Sequence, residues 1–272
     1  MGWAVCLVAV AAKEYFADWR MLPSVTAHGA EAIVLRTWPI HEADQIVSLF
    51  TREAGKVKGV AKSASRSRRR FGGALEPMTH VRAHYVTRPR QDLVRLDSLE
   101  VLHSPLAEPT DYGRAAALAF YTEVLDEMLP ENDPQDATFR LLLKVLDYTR
   151  IGSIWMPVTY FALWMVRLMG WMPDMRRCTV CNRLLGPDEP AYWHAQGDGL
   201  QCVEHRKLGD AALSPASRML ALRLFQAPPE AFAAEPWPRQ RAVDLRRFAM
   251  QSLERHGEQR LQSVGALLRL GG

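Results

Sequence analysis

The 272 residues carry 48% hydrophobic and 24% charged side chains, with 34 Lys/Arg against 30 Asp/Glu and four cysteines. That balance excludes a globally disordered chain, and so few cysteines in this length exclude a small disulfide scaffold. The net charge of +4 is modest but unevenly spread: residues 52–95 hold twelve Lys/Arg and three acids, a surplus of nine that leaves −5 for the remainder. Between residues 107 and 137, eight acids face Arg114 alone. One region therefore suits a polyanion and another repels it, and nucleic acid is the leading candidate.

Residues 1–28 read as an N-terminal extension outside the fold. The apolar run 3–12 resembles the core of a secretory signal and Val10-Ala11-Ala12 a cleavage site, but no Lys or Arg precedes it, as such a signal requires. Met21 could equally start the chain, and Cys6 receives no role. From residue 31 to about 104 the pattern is strand-like. Ala32-Ile33-Val34-Leu35 comes first, then 45–51, then 56–61 with Val57 and Val60. In the fourth run Val81, Ala83 and Tyr85 alternate with His80, Arg82 and His84. A fifth begins at 93–96, after an Arg90-Gln91-Asp92 turn. Five short strands predict a small closed barrel of the OB type over 29–105, with Trp38, Phe50 and Tyr85 in its core, although an SH3-like barrel shows nearly the same pattern.

After Pro105 the texture becomes helical. Helices are expected from a cap at Pro109-Thr110-Asp111 through 129, over about 135–150, 155–169, 215–225 behind a Ser214-Pro215 start, and about 239–256. Residues 151–172 have the length of a membrane span, with Arg167 as their only charge. Gly152, Ser153, Pro157 and Thr159 at one end and Arg167 near the other favour a buried helix instead. The predicted class is α+β: an N-terminal five-stranded OB-fold β-barrel, then an α-helical domain over 106–272 with a zinc-binding module inserted at about 174–210.

Two constellations carry chemistry. Cys178-Thr179-Val180-Cys181 is followed, twenty residues on, by Cys202-Val203-Glu204-His205. Two tight turns, each offering a ligand pair, suit tetrahedral zinc, and four protein ligands leave no open position, so the metal would be structural. His194 is the alternative fourth ligand. No His-x-Glu precedes the cysteines as in the deaminases, and no phosphate-binding loop, dinucleotide fingerprint or Gly-x-Ser-x-Gly elbow occurs, so no catalytic residue is assigned and the protein is not expected to be an enzyme. The second constellation is the Ser/Arg run 62–73, read as a flexible loop leaving the third strand. Candidate phosphate contacts are Arg52, Lys56, Lys58, Lys62, Arg66, Arg68, Arg69, Arg70, Arg82, Arg88 and Arg90. Phe71 is either a core anchor or a base-stacking ring. These features also fit a zinc-stabilised RNA-binding protein, or a scaffold whose positive patch takes an acidic tail.

Taken in order, Glu31-Ala32-Ile33-Val34-Leu35-Arg36, Glu42-Ala43-Asp44, Val47-Ser48-Leu49-Phe50-Thr51, Gly55-Lys56-Val57, Gly59-Val60-Ala61-Lys62 and Phe71-Gly72-Gly73-Ala74-Leu75-Glu76-Pro77 resemble the opening of the RecO family of bacterial recombination and repair proteins. Leu168-Met169-Gly170-Trp171-Met172-Pro173-Asp174, leading into Cys178, is similar to the family's helix-to-zinc junction. The resemblance runs from about residue 28 to the end and is strongest over 31–77 and 160–205. It implies a cytoplasmic, nucleoid-associated mediator of DNA repair and recombination rather than a catalyst. Such a protein binds single- and double-stranded DNA, anneals complementary strands, and acts with RecR to let RecA replace single-strand-binding protein. Zinc-bearing members commonly use four cysteines, where this chain has His205 in the fourth place.

Overall fold

The structure, a computed structural model, describes residues 26–40, 42–107 and 109–270. The signal-like run 3–12, Cys6 and Met21 lie outside the described residues. The described chain divides into two compact units, one reaching residue 107 and including 129–135, the other formed by 108–128 and the chain from 136 onward.

The first unit is a five-stranded barrel. β1 (Thr26–Pro39) is long enough to serve two neighbours. Its first half ladders antiparallel with β4 (His80–Thr87), from Thr26 opposite Thr87 to Ile33 opposite His80. Its second half pairs with β2 (Gln45–Thr51), across a bulge between Val34 and Arg36. Bulges bend a strand, and a bent strand can change partners. β2 continues antiparallel into β3 (Gly55–Ala61), β3 runs parallel to β5 (Leu93–His103), and β5 returns antiparallel to β4, closing the sheet in the order expected for an OB-type barrel. Inward positions Val34, Val47, Leu49, Val57, Val81, Ala83, Tyr85 and Leu96 fill the core, as period-two alternation requires. Phe50 is fully buried too, but Trp38 is only half-buried, so its core assignment is corrected. β1 begins at Thr26, and the expected extension thus gives up residues 26–28 to the barrel.

The connection from β3 to β4 is not the flexible loop the Ser/Arg composition suggested. The Ser63 N–H donates to Asp44 Oδ1 at 2.7 Å, and Arg66 and Ser67 turn back onto the Ser63 carbonyl. A four-residue helix, α1 (Arg68–Phe71), follows. Ala64, Phe71 and Ala74 from this connection join the barrel core. Burial of these three side chains is what orders a segment whose polar residues alone would not fold.

The second unit is helical. α2 (Tyr112–Met128) starts under Asp111, whose Oδ1 accepts the Arg114 N–H at 2.8 Å. α3 (Asp136–Thr149) and α4 (Trp155–Leu168) follow, and α4 is buried along most of its fourteen residues against α3 and α6 (Val243–His256). Among the described residues no helix is long and apolar enough to cross a membrane. α5 (Pro215–Leu224) begins as expected, with Ser214 Oγ accepting the Ser217 N–H and Pro215 in the first turn. α6 starts four residues later than expected, because Ala242 adopts a left-handed conformation, φ 57°, that a continuous helix excludes. A last helix, α7 (Gln262–Arg269), packs on α2 and was not anticipated. Between α4 and α5 lies a small module built on the ladder of β6 (Ala191–Trp193) with β7 (Ala211–Leu213).

Candidate nucleic-acid interface and metal centre

The barrel sorts the expected phosphate contacts into those already engaged and those presented to solvent. Lys56 is buried, and its carbonyl accepts the Asn132 N–H at 2.9 Å. Lys58 Nζ lies 2.5 Å from Glu131 Oε1. The acidic segment 129–135 thus covers both lysines of β3. It sits close because Gly55, at φ 70°, has no Cβ to strike the Asp133 carbonyl. Arg52 pairs with Glu31 at 3.4 Å. On β4, exposed Arg82 stands in register between Glu31 and Glu100, His80 meets Glu31 at 2.8 Å, and His84 lies 3.6 Å from Glu100. Opposite charges in register across strands, as with Arg82 between Glu31 and Glu100, offset one another locally.

The connection after β3 differs. Arg66, Arg68 and Arg69 are exposed. Arg66 is 3.3 Å from Glu42, but both side chains are so open that the pair is weak. Arg68 and Arg69 have no carboxylate partner among the described residues. Arg70 serves the fold: its Nη2 donates to the Lys62 carbonyl at 2.7 Å, its Nε to Ser67 Oγ at 3.0 Å, and its guanidinium lies over the Phe71 ring. Phe71 itself is 2% exposed and anchors the core, so it offers no face to a base. Arg88 is half-buried and Arg90 exposed at the β4–β5 turn, where Arg90 takes φ 65°.

In the helical unit, the ligand atoms of Cys178, Cys181, Cys202 and His205 all lie within 4.8 Å of one another. His205 Nδ1 is 3.1 Å from Cys202 Sγ and 3.9 Å from Cys178 Sγ. Ligands on a tetrahedral zinc stand about 3.5–3.8 Å apart, so the donor set and its spacing fit that ion. Both turns are built by backbone bonds. Asn182, left-handed at φ 58°, returns its N–H to the Cys178 carbonyl, and the His205 N–H returns to that of Cys202. Thr179 ties the turns together, its N–H and hydroxyl both donating to the Leu200 carbonyl. Gly199, at φ 90°, is required beside it, since a Cβ there would lie 2.1 Å from Thr179 Cγ2.

The electrostatics favour a cation. Burial works to raise the Cys202 thiol, but the His205 ring, the Arg183 guanidinium and the N–H groups of His205 and Glu204 hold it at about 6. Cys181 rises despite an N–H bond from Arg183, through burial and crowding by the other two sulfurs. Three thiolates this close need a positive charge among them to ionise together. His194 does not join the cluster; its Nδ1 accepts the Gln196 N–H at 3.2 Å. Arg218 of α5 also serves this module, a role that no motif in the sequence marks. This side chain is 1% exposed, and it donates to the carbonyls of Met175, Leu185, Gly186 and Glu189, fastening the module to the helix. Its signal is an Arg sharing the apolar stripe of Ala221 and Leu224.

The chain matches two family models, "Recombination protein O N terminal" over residues 26–105 and "Recombination protein O C terminal" over 109–264. Proteins similar to it include three named DNA repair protein RecO. The one from Koribacter versatilis (strain Ellin345) is 54% identical over 241 residues, covering 89% of this chain and 98% of the relative. That of Anaeromyxobacter sp. (strain K) is 34% identical over 243 residues, covering 88% and 95%. That of Myxococcus xanthus (strain DK1622) is 29% identical over 244 residues, covering 89% and 97%.

Proposed function

The chain belongs to the RecO family, and on that premise we propose that it is a cytoplasmic recombination mediator that binds single- and double-stranded DNA and anneals complementary strands. The observation that carries this reading is the ordered Arg66–Arg68–Arg69 segment, standing on a closed barrel with two guanidinium groups that no carboxylate offsets among the described residues. Guanidinium groups bind phosphate oxygens and release condensed counterions, with no dependence on base identity. Two strands neutralised on one surface repel each other less, and their encounter is faster. With RecR as partner, such a protein would let RecA take over single strands coated by single-strand-binding protein. No step requires a bond to be made or broken by a side chain, and none is assigned. Zinc, held by Cys178, Cys181, Cys202 and His205, would cross-link the two turns of the module and stabilise the helical unit.

Salt-titrated binding and annealing of complementary DNA strands, with RNA of the same sequence as control, test the reading. Affinity should fall linearly on a log–log salt scale, and annealing of DNA should accelerate. Tighter RNA binding without annealing would support an RNA-binding protein instead. No binding to either polymer would leave the loop as a protein-docking surface.

A further inference from the structure

The helical unit contains a cavity of about 530 Å³ between α6 and α7, closed at one side by Trp155 at the start of α4. That volume suits a small organic ligand. Its walls are of two kinds. Met250, Leu261, Val264 and Leu267 form an apolar floor, while Arg246, Arg247 and Arg260 bring three guanidinium groups against Glu254, the one carboxylate among the described lining residues; Arg239, also in the wall, donates to the Leu268 carbonyl. Glu254 is committed, since its Oε1 accepts the Leu261 N–H at 3.0 Å.

Arg246 is the decisive group. It is 4% exposed, and no carboxylate pairs with it among the described residues. It donates to Thr159 Oγ1 at 3.0 Å, to the Arg241 carbonyl at 2.7 Å and to the Arg239 carbonyl, which accounts for three of the five N–H groups a guanidinium carries. The acid whose charge reaches it, Asp244, is occupied by Ser214 and Ser217. Burial and the neighbouring Arg239 accordingly push its pKa down, to about 10. A buried cation without an anion is costly unless something supplies one. Arg247 and Arg260 are exposed at the same cavity, also without carboxylate partners among the described residues.

We propose that this cavity binds a nucleoside 5′-phosphate, free or as the end of a strand, with the phosphate on Arg246, Arg247 and Arg260 and the base on the apolar floor beside Trp155. Charge selects phosphate over a single carboxylate. A phosphate monoester brings about two negative charges at neutral pH, matching the excess that the guanidinium groups of Arg246, Arg247 and Arg260 leave over Glu254. Planar guanidinium groups and an indole also suit a flat base. The Arg246 guanidinium already lies 4.7 Å from the Trp155 ring centroid. The site is separate from the barrel loop and does not depend on the barrel's role.

Calorimetric titration of the full chain with dAMP, deoxyadenosine and inorganic phosphate tests it. We expect one saturable dAMP site, phosphate weaker by about tenfold, and no heat from deoxyadenosine. Arg247→Gln with Arg260→Gln, both at exposed positions, should weaken dAMP by at least about tenfold, while Arg68→Ala with Arg69→Ala leaves it unchanged. Displacement of fluorescent dAMP by a trinucleotide with a 5′-phosphate, but not by its 5′-hydroxyl form, would assign the site to strand ends. Displacement by neither would assign it to free nucleotide. The proposal is overturned if no dAMP binds, if the Arg247/Arg260 pair has no effect, or if an acidic peptide ending in an apolar residue binds where dAMP does not.

Discussion

Four backbone carbonyls converge on the guanidinium of Arg218, and of these only that of Gly186 also accepts a backbone N–H, from Glu189, among the described residues. Met175, Leu185, Gly186 and Glu189 lie on both sides of the first cysteine turn, so one side chain replaces a ladder that this irregular segment cannot form for itself. Glu189 is itself gripped by Arg183 in a two-pronged pair at 2.5 and 3.0 Å, which holds its carboxyl at about 2. Arg218→Met keeps the stem but leaves buried acceptors unmet, and should destabilise the helical unit by on the order of 3 kcal/mol. Arg218→Lys should recover only part of that, because an ammonium lacks the planar fork. Chemical denaturation measures both; equal stability of the Met variant and the parent would show that the carbonyls find other donors. Little of this is legible in the sequence. An arginine on a helix reads as solvent-facing, and only its helical phase with Ala221 and Leu224 argues otherwise.

At the scale of elements, β4 is legible because inward and outward side chains alternate, and β2 because it is a run of β-forming residues, lying on 45–51 as the sequence pattern predicts. Strand and helix ends are less so. β1 and β5 run longer than their apolar runs, since pairing with a neighbour extends a strand through residues that carry no hydrophobic signal. The β3–β4 connection misleads for a related reason: its composition is that of a linker, but Ala64, Phe71 and Ala74 are buried. That packing splits the arginines into two roles. Arg68→Ala with Arg69→Ala should weaken single-strand binding and flatten the log–log salt slope by about 1.4, near 0.7 for each phosphate no longer neutralised, without lowering stability. Arg70→Ala should do the reverse, costing about 1 kcal/mol through the missing bonds to Lys62 and Ser67 with little change in slope. Fluorescence anisotropy across a salt series, alongside thermal melts, separates them. Equal salt slopes for the double variant and the parent would remove these two residues from the interface.

At the scale of the molecule, charge and cross-linking are assigned to different units. The barrel unit carries the arginine segment, and the helical unit carries the Cys178, Cys181, Cys202 and His205 cluster. The cluster residues are legible from their spacing; the presence of His205 rather than His194 among them is not, because both follow the first cysteine pair and only the backbone turn at Cys202 brings His205 to the sulfurs. A metal bound there acts on folding before it acts on DNA, because its ligands come from two turns 20 residues apart and must be deprotonated and gathered in one place. Chelation of the zinc-loaded protein should therefore lower the melting of the helical unit by roughly 10 °C, while DNA affinity measured below that transition stays within about twofold. Cys181→Ser should reproduce the melting change without chelator. Calorimetry with and without chelator, paired with anisotropy at a temperature below both transitions, decides the matter. Loss of DNA affinity in parallel with metal release, while the helical unit is still folded, would place the metal in the nucleic-acid interface instead.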